Sequence, residues 1–154
     1  MTIDATDRRL LALLQRDGHI TNAELAERIG LSQSACHRRV KQLEESGVIA
    51  GYAAVVDRKK IGMNLLAYVF VKMNKHAEDL LEDFVRGVNA IDEVVSCHAI
   101  SGGGDYLLKV AADDMDAFAE VALKKLVRLP GVKDSSSNFV LSTVKRERGW
   151  PVRG

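Results

Sequence analysis

One short stretch of this sequence places hydroxyl, imidazole and cationic side chains at helical spacing. Ser34, His37, Arg38 and Lys41 are separated by three, one and three residues, which puts them on one side of a helix. A guanidinium group binds guanine edges or phosphate, and an ammonium group binds phosphate. The polar run Ser32–Ser34 stands where this helix begins, a position that favours phosphate binding. The pattern suggests a helix that enters a DNA groove, although a merely solvated basic face explains the spacing equally well.

A second stretch has the residue types to bind a small zwitterion. Gly102, Gly103 and Gly104 remove every side chain from a turn and permit positive φ, so backbone amides can approach a carboxylate. Asp105, the next residue, can pair with an ammonium group. Together these groups suit a free amino acid. The residues alone favour the simpler interpretation, a flexible hairpin turn.

The remaining reactive residue types form no catalytic or metal-binding pattern. His98 has no partner at ligand spacing, and the run Ser135–Ser137 has no nearby histidine base. Cys36 falls on an apolar stripe, and with Cys97 it makes neither a disulfide framework nor a ligand cluster. We therefore expect no catalytic residues, no metal and no cofactor.

Capping residues predict the helices that position the first stretch. Thr21 and Glu24 have the spacing of a capping box, and Gly30 ends the helix that they begin. Ser32 caps the next helix, which Gly47 stops. Two helices joined by a short turn with glycine are typical of a helix-turn-helix.

Apolar spacing gives the inward face of the same region. Cys36, Val40 and Leu43 recur at intervals of four and three residues, opposite the polar face. An earlier helix contains the leucines of residues 10–14, and Asp7 is the expected cap. Residues 52–56 are expected to form a short extended wing.

In the rest of the chain, the spacing of apolar residues changes from a helical period to one that includes the alternation of strands. Residues 57–64 are polar and basic and are interpreted as a linker, so the predicted division is a helix-turn-helix domain at 1–56, a second domain at 65–147 and a tail at 148–154. The order βαββαβ predicts a ferredoxin-like sandwich, an α+β fold. The predicted elements are strands at 65–73, 94–100, 105–111 and 137–145, and helices at 78–88 and from Asp113 or Asp114 to 129.

Two helices cover only one face of such a sheet. The other face of the first strand is also largely apolar, with Leu66, Tyr68 and Phe70. An exposed apolar patch of this size is typical of self-association. We expect at least a dimer, sheet against sheet.

Charge and hydropathy limit the environment. The 154 residues carry a net charge of +1, and residues 1–50 hold seven basic and seven acidic side chains, so DNA binding must come from local placement of charge. No apolar run approaches the ~18 residues that cross a bilayer. The start of the chain lacks the apolar core of a signal peptide. These features predict a cytoplasmic protein without a membrane partner.

The whole chain resembles the leucine-responsive regulatory protein/AsnC (Lrp/AsnC) family of transcription regulators. The resemblance is carried by DRRLLALL, NAELAERIGLS, CHRRVKQLEESG, IAGY, SGGGDYLLK and LPGV, in the order of that family. It implies a winged helix-turn-helix joined to a ligand-sensing ferredoxin-like (RAM-type) domain. It also implies double-stranded DNA and a small amino-acid effector as partners, and dimers that often assemble into octamers.

The resemblance also implies site residues. The DNA-facing set would be Ser32, Gln33, Ser34, Arg38, Arg39 and Lys41, beside the outward His37. The effector site, at a surface between dimers, would include Gly102, Gly103, Gly104, Asp105, Tyr106, Ser135 and Ser137.

Two other functions remain open from the sequence. One is an amino-acid-binding module whose helix-turn-helix is only structural. The other is an enzyme similar to sirohaem decarboxylases, which have a comparable two-part architecture. The histidines of this chain do not cluster in the second domain, which disfavours the enzyme.

Overall fold

The computed structural model describes residues 2–74, 77–147 and 149–152. The chain forms two compact units. Unit 1 comprises Met1–Val55 together with Lys145–Gly154, and unit 2 comprises Val56–Val144.

Unit 1 contains three α-helices, α1 (Ala5–Arg16), α2 (Asn22–Ile29) and α3 (Gln33–Glu45). α2 begins with the predicted capping box, in which Thr21 Oγ1 accepts from the Glu24 amide and Glu24 accepts from the Thr21 amide. It ends at Gly30, whose φ of 75° is left-handed.

The cap of α1 differs from the expectation. Asp4, not Asp7, is the N-cap residue, and Asp7 is the third helical residue of a capping box with it. The Asp7 amide donates to Asp4 Oδ1 at 2.8 Å, and the Asp4 amide donates to Asp7 Oδ2 at 3.2 Å. An aspartate three residues inside a helix can return a hydrogen bond to the cap, which makes either aspartate a plausible cap from sequence alone.

The core of unit 1 is built from the predicted apolar positions. All three helices contribute buried residues, and Ile20 joins them from the turn before α2. The full set is Leu10, Ile20, Leu25, Ala26, Ile29, Cys36, Val40 and Leu43. Cys36 is fully buried, and burial raises the pKa of its thiol. This cysteine is a core residue, as the apolar stripe predicted.

The segment after α3 is irregular. Residues 50–56 belong to no strand, so the expected wing has no β-ladder. The segment interpreted as a linker contains a 3₁₀-helix, Arg58–Ile61, capped by Asp57 and ended by Gly62 at a φ of 91°. The Arg58 guanidinium donates to the carbonyls of Met63 and Asn64 at 2.6 and 2.7 Å. These bonds give residues 57–64 a defined local structure within unit 2.

In its described residues, unit 2 has a four-stranded antiparallel sheet and two α-helices, besides the 3₁₀-helix at Arg58–Ile61 and shorter helical turns. The elements are β1 (Leu65–Met73), α4 (Leu81–Asn89), β2 (Val94–Ala99), β3 (Tyr106–Ala112), α5 (Met115–Glu120) and β4 (Val132–Phe139). The strand order is β2-β3-β1-β4. This is the predicted α+β, ferredoxin-like arrangement, with β1 and β3 at the centre.

One face of the sheet packs on the helices. Ala67, Val69 and Val71 of β1 are fully buried with Leu108 and Val110 of β3. The alternate residues of these strands lie on the opposite face, because side chains alternate along a strand. Tyr68 on that face is 38% exposed.

Two elements of unit 2 differ from the expectation by more than three residues. α5 ends at Glu120 and continues as a π-helix at Val121–Lys125 and a 3₁₀-helix at Leu126–Arg128. β4 begins at Val132 and ends at Phe139, whereas the sequence predicted a strand at 137–145. The polar run of β4 has no apolar alternation to mark it, and β1 offers no partner after the bond from the Val140 amide to the Leu66 carbonyl.

None of the helices in the described part of the chain is long and apolar enough to span a membrane. Within the same residues, no three histidine, cysteine or acidic side chains lie close enough together to hold a metal ion.

Candidate functional site

α3 is held with one face inward and one face free. Its N-cap, Ser32, accepts from the Ala35 amide at 3.3 Å, and Cys36, Val40 and Leu43 anchor it in the core. The opposite face is exposed and carries six of the predicted DNA-facing residues, Ser32, Gln33, Ser34, His37, Arg38 and Lys41. The structure therefore brings these six residues to one surface.

The cations of this face are available to a ligand. Arg38 has no acidic group within salt-bridge distance among the described residues. Lys41 Nζ lies 3.6 Å from Glu45 Oε1, and both side chains are more than 60% exposed. An ion pair so exposed contributes little and is easily exchanged for a phosphate.

His37 links the two helices of the motif. Its Nδ1 lies 3.2 Å from Asn22 Nδ2 on α2. The amide nitrogen of Asn22 can only donate, so Nδ1 is the acceptor in this contact and Nε2 is left for a partner outside the protein. His37 is thus part of the exposed face and also a tie between α2 and α3.

Arg39 is placed differently from the other predicted DNA contacts. Its Nη1 lies 2.8 Å from Asp4 Oδ2 and 2.8 Å from Asp7 Oδ1. The Asp7 side chain is only 3% exposed. The two carboxylates raise the pKa of Arg39, and hydrogen bonds from the Asp7 amide and from Arg39 lower the pKa of Asp4. Arg39 therefore fastens α3 to the start of α1.

The sequence contains one signal for this contact. Asp4-Ala5-Thr6-Asp7 has the spacing of a capping box, and it concentrates two carboxylates at a helix start. A buried carboxylate requires a partner. Which arginine supplies it depends on how α3 crosses α1, which spacing along the chain does not give.

The glycine turn between β2 and β3 is held in place at its C-terminal end, where Gly104 and Asp105 contact β1. Gly102 has a φ of 114°, and Gly104 is buried against Phe70, so that a Cβ there would lie 3.5 Å from the Phe70 Cβ. The Asp105 amide donates to the Val71 carbonyl at 2.9 Å. The amides of Gly102, Gly103 and Gly104 donate to no acceptor in the part of the chain that is described. Unused amides of this kind can bind an anion.

Asp105 has a structural bond as well as an exposed position. Its Oδ2 accepts from the Met73 amide at 2.7 Å, which orients the carboxylate at the end of β1. The residue is otherwise exposed. A fixed carboxylate beside unused amides is the charge arrangement that a zwitterion needs.

Tyr106 and Ser135 lie on the helix-covered face of the sheet, near the turn. Both are paired with Val71, from β3 and from β4, so their Cα atoms are about 10 Å apart. The Tyr106 ring packs on Phe84 with centroids 4.6 Å apart. Ser137, opposite Val69, lies two residues further along β4 on the same face. The predicted effector residues thus gather at one end of the sheet, in two groups on either side of β1.

Comparison with known proteins covers both units. A family model described as winged helix-turn-helix DNA-binding matches residues 3–50, and one described as Lrp/AsnC ligand binding domain matches residues 66–150. The leucine-responsive regulatory proteins of Escherichia coli (strain K12) and Serratia marcescens are each 40% identical over 151 residues, which is 98% of this chain and 92% of theirs.

Solved structures give the same result. A transcriptional regulator of Neisseria meningitidis in complex with L-methionine has a TM-score of 0.93 and 42% identity, and the match covers 97% of both chains. A feast or famine regulatory protein of M. tuberculosis complexed with L-methionine has a TM-score of 0.88 and 32% identity, over 97% of this chain and 99% of that one. With family models over both units and a relative of 40% identity over nearly its whole length, the chain belongs to the Lrp/AsnC family of transcription regulators.

Proposed function

We propose that this protein is a sequence-specific DNA-binding regulator whose DNA affinity changes when a small amino acid binds to unit 2. The observation that carries the first part is the exposed face of α3. Arg38 and Lys41 are free to bind DNA, and the buried stripe of Cys36, Val40 and Leu43 holds the helix rigid behind them. A rigid helix with free cations near its N-terminal half is suited to the major groove.

The proposed DNA-contacting residues are those of the exposed face, Ser32, Gln33, Ser34, His37, Arg38 and Lys41. Arg39 is left out because its guanidinium is bound to Asp4 and Asp7. Since residues 1–50 have no net charge, a single copy would bind DNA weakly. Two copies joined through unit 2 would double the contacts and fix their spacing.

The test is a gel shift on the DNA upstream of the protein's own gene, repeated over a salt series. We expect sequence-specific binding that weakens with salt, and a loss of affinity in Arg38→Ala and Lys41→Ala. Lys124→Ala removes a similarly exposed lysine from unit 2 and is the matched control. Binding that is unaffected by both α3 variants would leave an amino-acid-binding module as the better function.

The proposed effector is an α-amino acid at the glycine turn. The unused amides of Gly102, Gly103 and Gly104 would bind its carboxylate, and Asp105 would bind its ammonium group. Tyr106 follows Asp105 on β3, on the same side of β1 as the turn, and is the proposed side-chain neighbour of the ligand there. Ser135 and Ser137 lie across β1, on β4, and would contact the ligand only if a neighbouring copy completes the site. L-methionine is the first probe to use, since it is bound in two similar structures. Titration calorimetry should show heat with L-methionine or another of the twenty amino acids, whereas no heat with any of them would exclude an effector of this class.

The assembly would form through the uncovered face of the sheet. Leu66, Tyr68 and Phe70 of β1 lie on this face, next to Leu107 of β3. Burial of such a face against a second copy removes apolar area from water. We propose a homodimer as the basic unit, able to assemble further into an octamer, in the cytoplasm, where its DNA would be.

A further inference from the structure

The end of the chain is bound to α1 by a pair of hydrogen bonds. The Trp150 amide donates to Gln15 Oε1 at 2.6 Å, and Gln15 Nε2 donates to the Trp150 carbonyl at 3.1 Å. One side-chain amide thus satisfies both polar groups of one backbone residue, as a neighbouring strand would. The Trp150 side chain itself is 82% exposed, so the backbone and not the ring is held.

The residue before Trp150 fits this contact in two ways. Gly149 has a φ of 97°, a conformation that residues with a Cβ rarely adopt. A Cβ at this position would also lie 2.2 Å from Gln15 Oε1, far inside van der Waals contact. With any other residue here, either the Gln15 side chain or the tail backbone would have to shift, so the contact in its present geometry depends on glycine.

The tail forms part of the wall of a groove on unit 1, through Trp150 and Val152. This groove has a volume of about 1010 Å³, and its walls include Leu11 and Leu14 of α1, Ile49 and Tyr52. The Tyr52 hydroxyl donates to Glu44 Oε1 on α3 at 2.9 Å, and burial together with this bond raises the pKa of Tyr52 to about 12. One wall of the groove is therefore fastened to the helix that carries the proposed DNA contacts.

The tail also forms part of a second connection between the two units. The chain leaves unit 1 after Val55 and returns to it at Lys145, so the two units are joined by two covalent connections. The second connection starts from β4, the strand that carries Ser135 and Ser137. This second connection can restrain the two units only if the tail is held on unit 1.

We propose that Gly149–Val152 is a latch that docks on α1 through Gln15 and makes DNA binding by α3 responsive to the effector. This inference rests on the proposed function. A docked tail restricts the positions that unit 1 can take relative to β4, because a chain held at both ends has fewer conformations. A released tail leaves a single connection, through which a change at the effector site would be transmitted less strongly.

Docking can be measured directly, since Trp150 is the only tryptophan of the chain. Time-resolved fluorescence anisotropy of the full-length protein should show a fast component from rotation of the exposed indole and a slow component from its anchored backbone, which tumbles with the protein. Gln15→Ala removes both hydrogen bonds and should lower the docked-to-released ratio by about tenfold, which appears as a larger fast component. Gly149→Ala should do the same by steric exclusion. Gln42→Ala, an exposed glutamine of α3, is the control and should match the wild type. Equal anisotropy decays in all four proteins would overturn the latch.

The coupling is measured with the same four proteins. DNA affinity is determined with and without L-methionine, and the ratio in the wild type is expected to be about 5- to 150-fold. Gln15→Ala and Gly149→Ala should keep the DNA affinity of the effector-free protein and move this ratio toward one. An unchanged ratio in a variant whose tail is released would overturn the coupling. A wild type that binds no DNA would overturn the proposed function and the coupling with it, while the anisotropy decays would still decide the docking.

Discussion

At the residue scale, the partner of a side chain decides its role more than its position in the sequence does. Arg38 and Arg39 are neighbours on α3, yet Arg38 points to solvent and Arg39 binds two carboxylates of α1. The spacing of polar residues predicted an outward Arg38. Arg39 was included only through the resemblance to a family, and the contacts with Asp4 and Asp7 give it a different explanation.

Arg38 and Arg39 are expected to respond oppositely to substitution. Arg38→Ala should reduce the slope of log affinity against log salt by about 1, with stability unchanged, because one phosphate contact is lost. Arg39→Ala should leave the slope unchanged and lower the free energy of unfolding by about 1–3 kcal/mol, since it leaves the Asp7 carboxylate buried without a cation. Gel shifts over a salt series and thermal unfolding measure both. A flatter slope with normal stability in Arg39→Ala would restore Arg39 as a DNA contact.

At Asp105, the negative charge can be removed while the hydrogen bond from the Met73 amide is kept. Asp105→Asn keeps an oxygen that can accept from the Met73 amide, so the turn should keep its geometry. The ammonium group of an amino acid would lose its counter-charge, and affinity should fall about 10- to 100-fold. Titration calorimetry with L-methionine measures this. Asp113→Asn changes the charge equally at an exposed position outside the site. Equal affinity in Asp105→Asn and the wild type would show that the effector is bound elsewhere.

At the scale of the elements, capping residues fix where the helices of unit 1 begin. The boundary of α2 was predictable because its capping box uses only neighbours in sequence. The start of α1 was misplaced by three residues because two aspartates of the same box compete for the role of cap. Local hydrogen bonds therefore predict that a helix exists more firmly than they predict its first residue.

The Thr21 cap gives a prediction for stability. Thr21→Ala removes the acceptor for the Glu24 amide and should lower the free energy of unfolding by about 1 kcal/mol. Chemical denaturation followed by circular dichroism measures the change. Thr143→Ala, in an exposed segment without helix or strand, should stay within about 0.5 kcal/mol of the wild type. An equal effect of the two substitutions would argue against the cap.

The Asp4 cap predicts a dependence on pH. The pKa of Asp4 is lowered in the folded protein from its ordinary value of 3.8, so the ionised form stabilises the fold. Its contribution is complete above the unfolded value and is lost as the pH falls through the lower, folded value. Unfolding midpoints measured from pH 6 downward should therefore fall less steeply in Asp4→Asn than in the wild type. Parallel curves for the two proteins would mean that ionised Asp4 does not stabilise α1.

At the scale of the whole molecule, the uncovered sheet face carries the proposal for assembly, and the second crossing of the chain carries the proposal for coupling. The uncovered face is where the proposed dimer would form, because helices cover only the other face and Tyr68 on this one is 38% exposed. The crossing at Lys145 returns the end of the chain to unit 1. Neither feature involves the residues that would touch DNA.

The proposed dimer is tested at Tyr68, in the middle of the uncovered face. Tyr68→Glu can pair with Lys109, its cross-strand neighbour, so the single chain should tolerate the charge. A charge buried between two sheets is unfavourable, and the dimer should dissociate at least about tenfold more readily. Sedimentation at several concentrations measures this, with Thr143→Glu as the control. A wild type that sediments as a monomer would contradict the dimer itself.

The fold was largely predictable because its signals are periodic and local. The stripe of Cys36, Val40 and Leu43 and the alternation of β1 fixed the elements and their inward faces. β4 was misplaced because the edge run Ser135–Ser137 is polar on both faces and takes its register from β1. The exposed face of α3 was predictable for the same reason as its buried face, since each defines the other.

The sequence by itself determined which elements form, which face of α3 is free and where a glycine turn lies, because hydrophobic period and capping act between neighbours in the chain. Only the tertiary structure decided that Arg39 binds Asp4 and Asp7, that Asp105 is oriented by the Met73 amide, and that the tail docks on Gln15. These contacts join residues 32 to 135 positions apart. Such contacts depend on how the helices and strands pack against one another. Packing geometry produces no periodic pattern in the sequence from which it could be predicted.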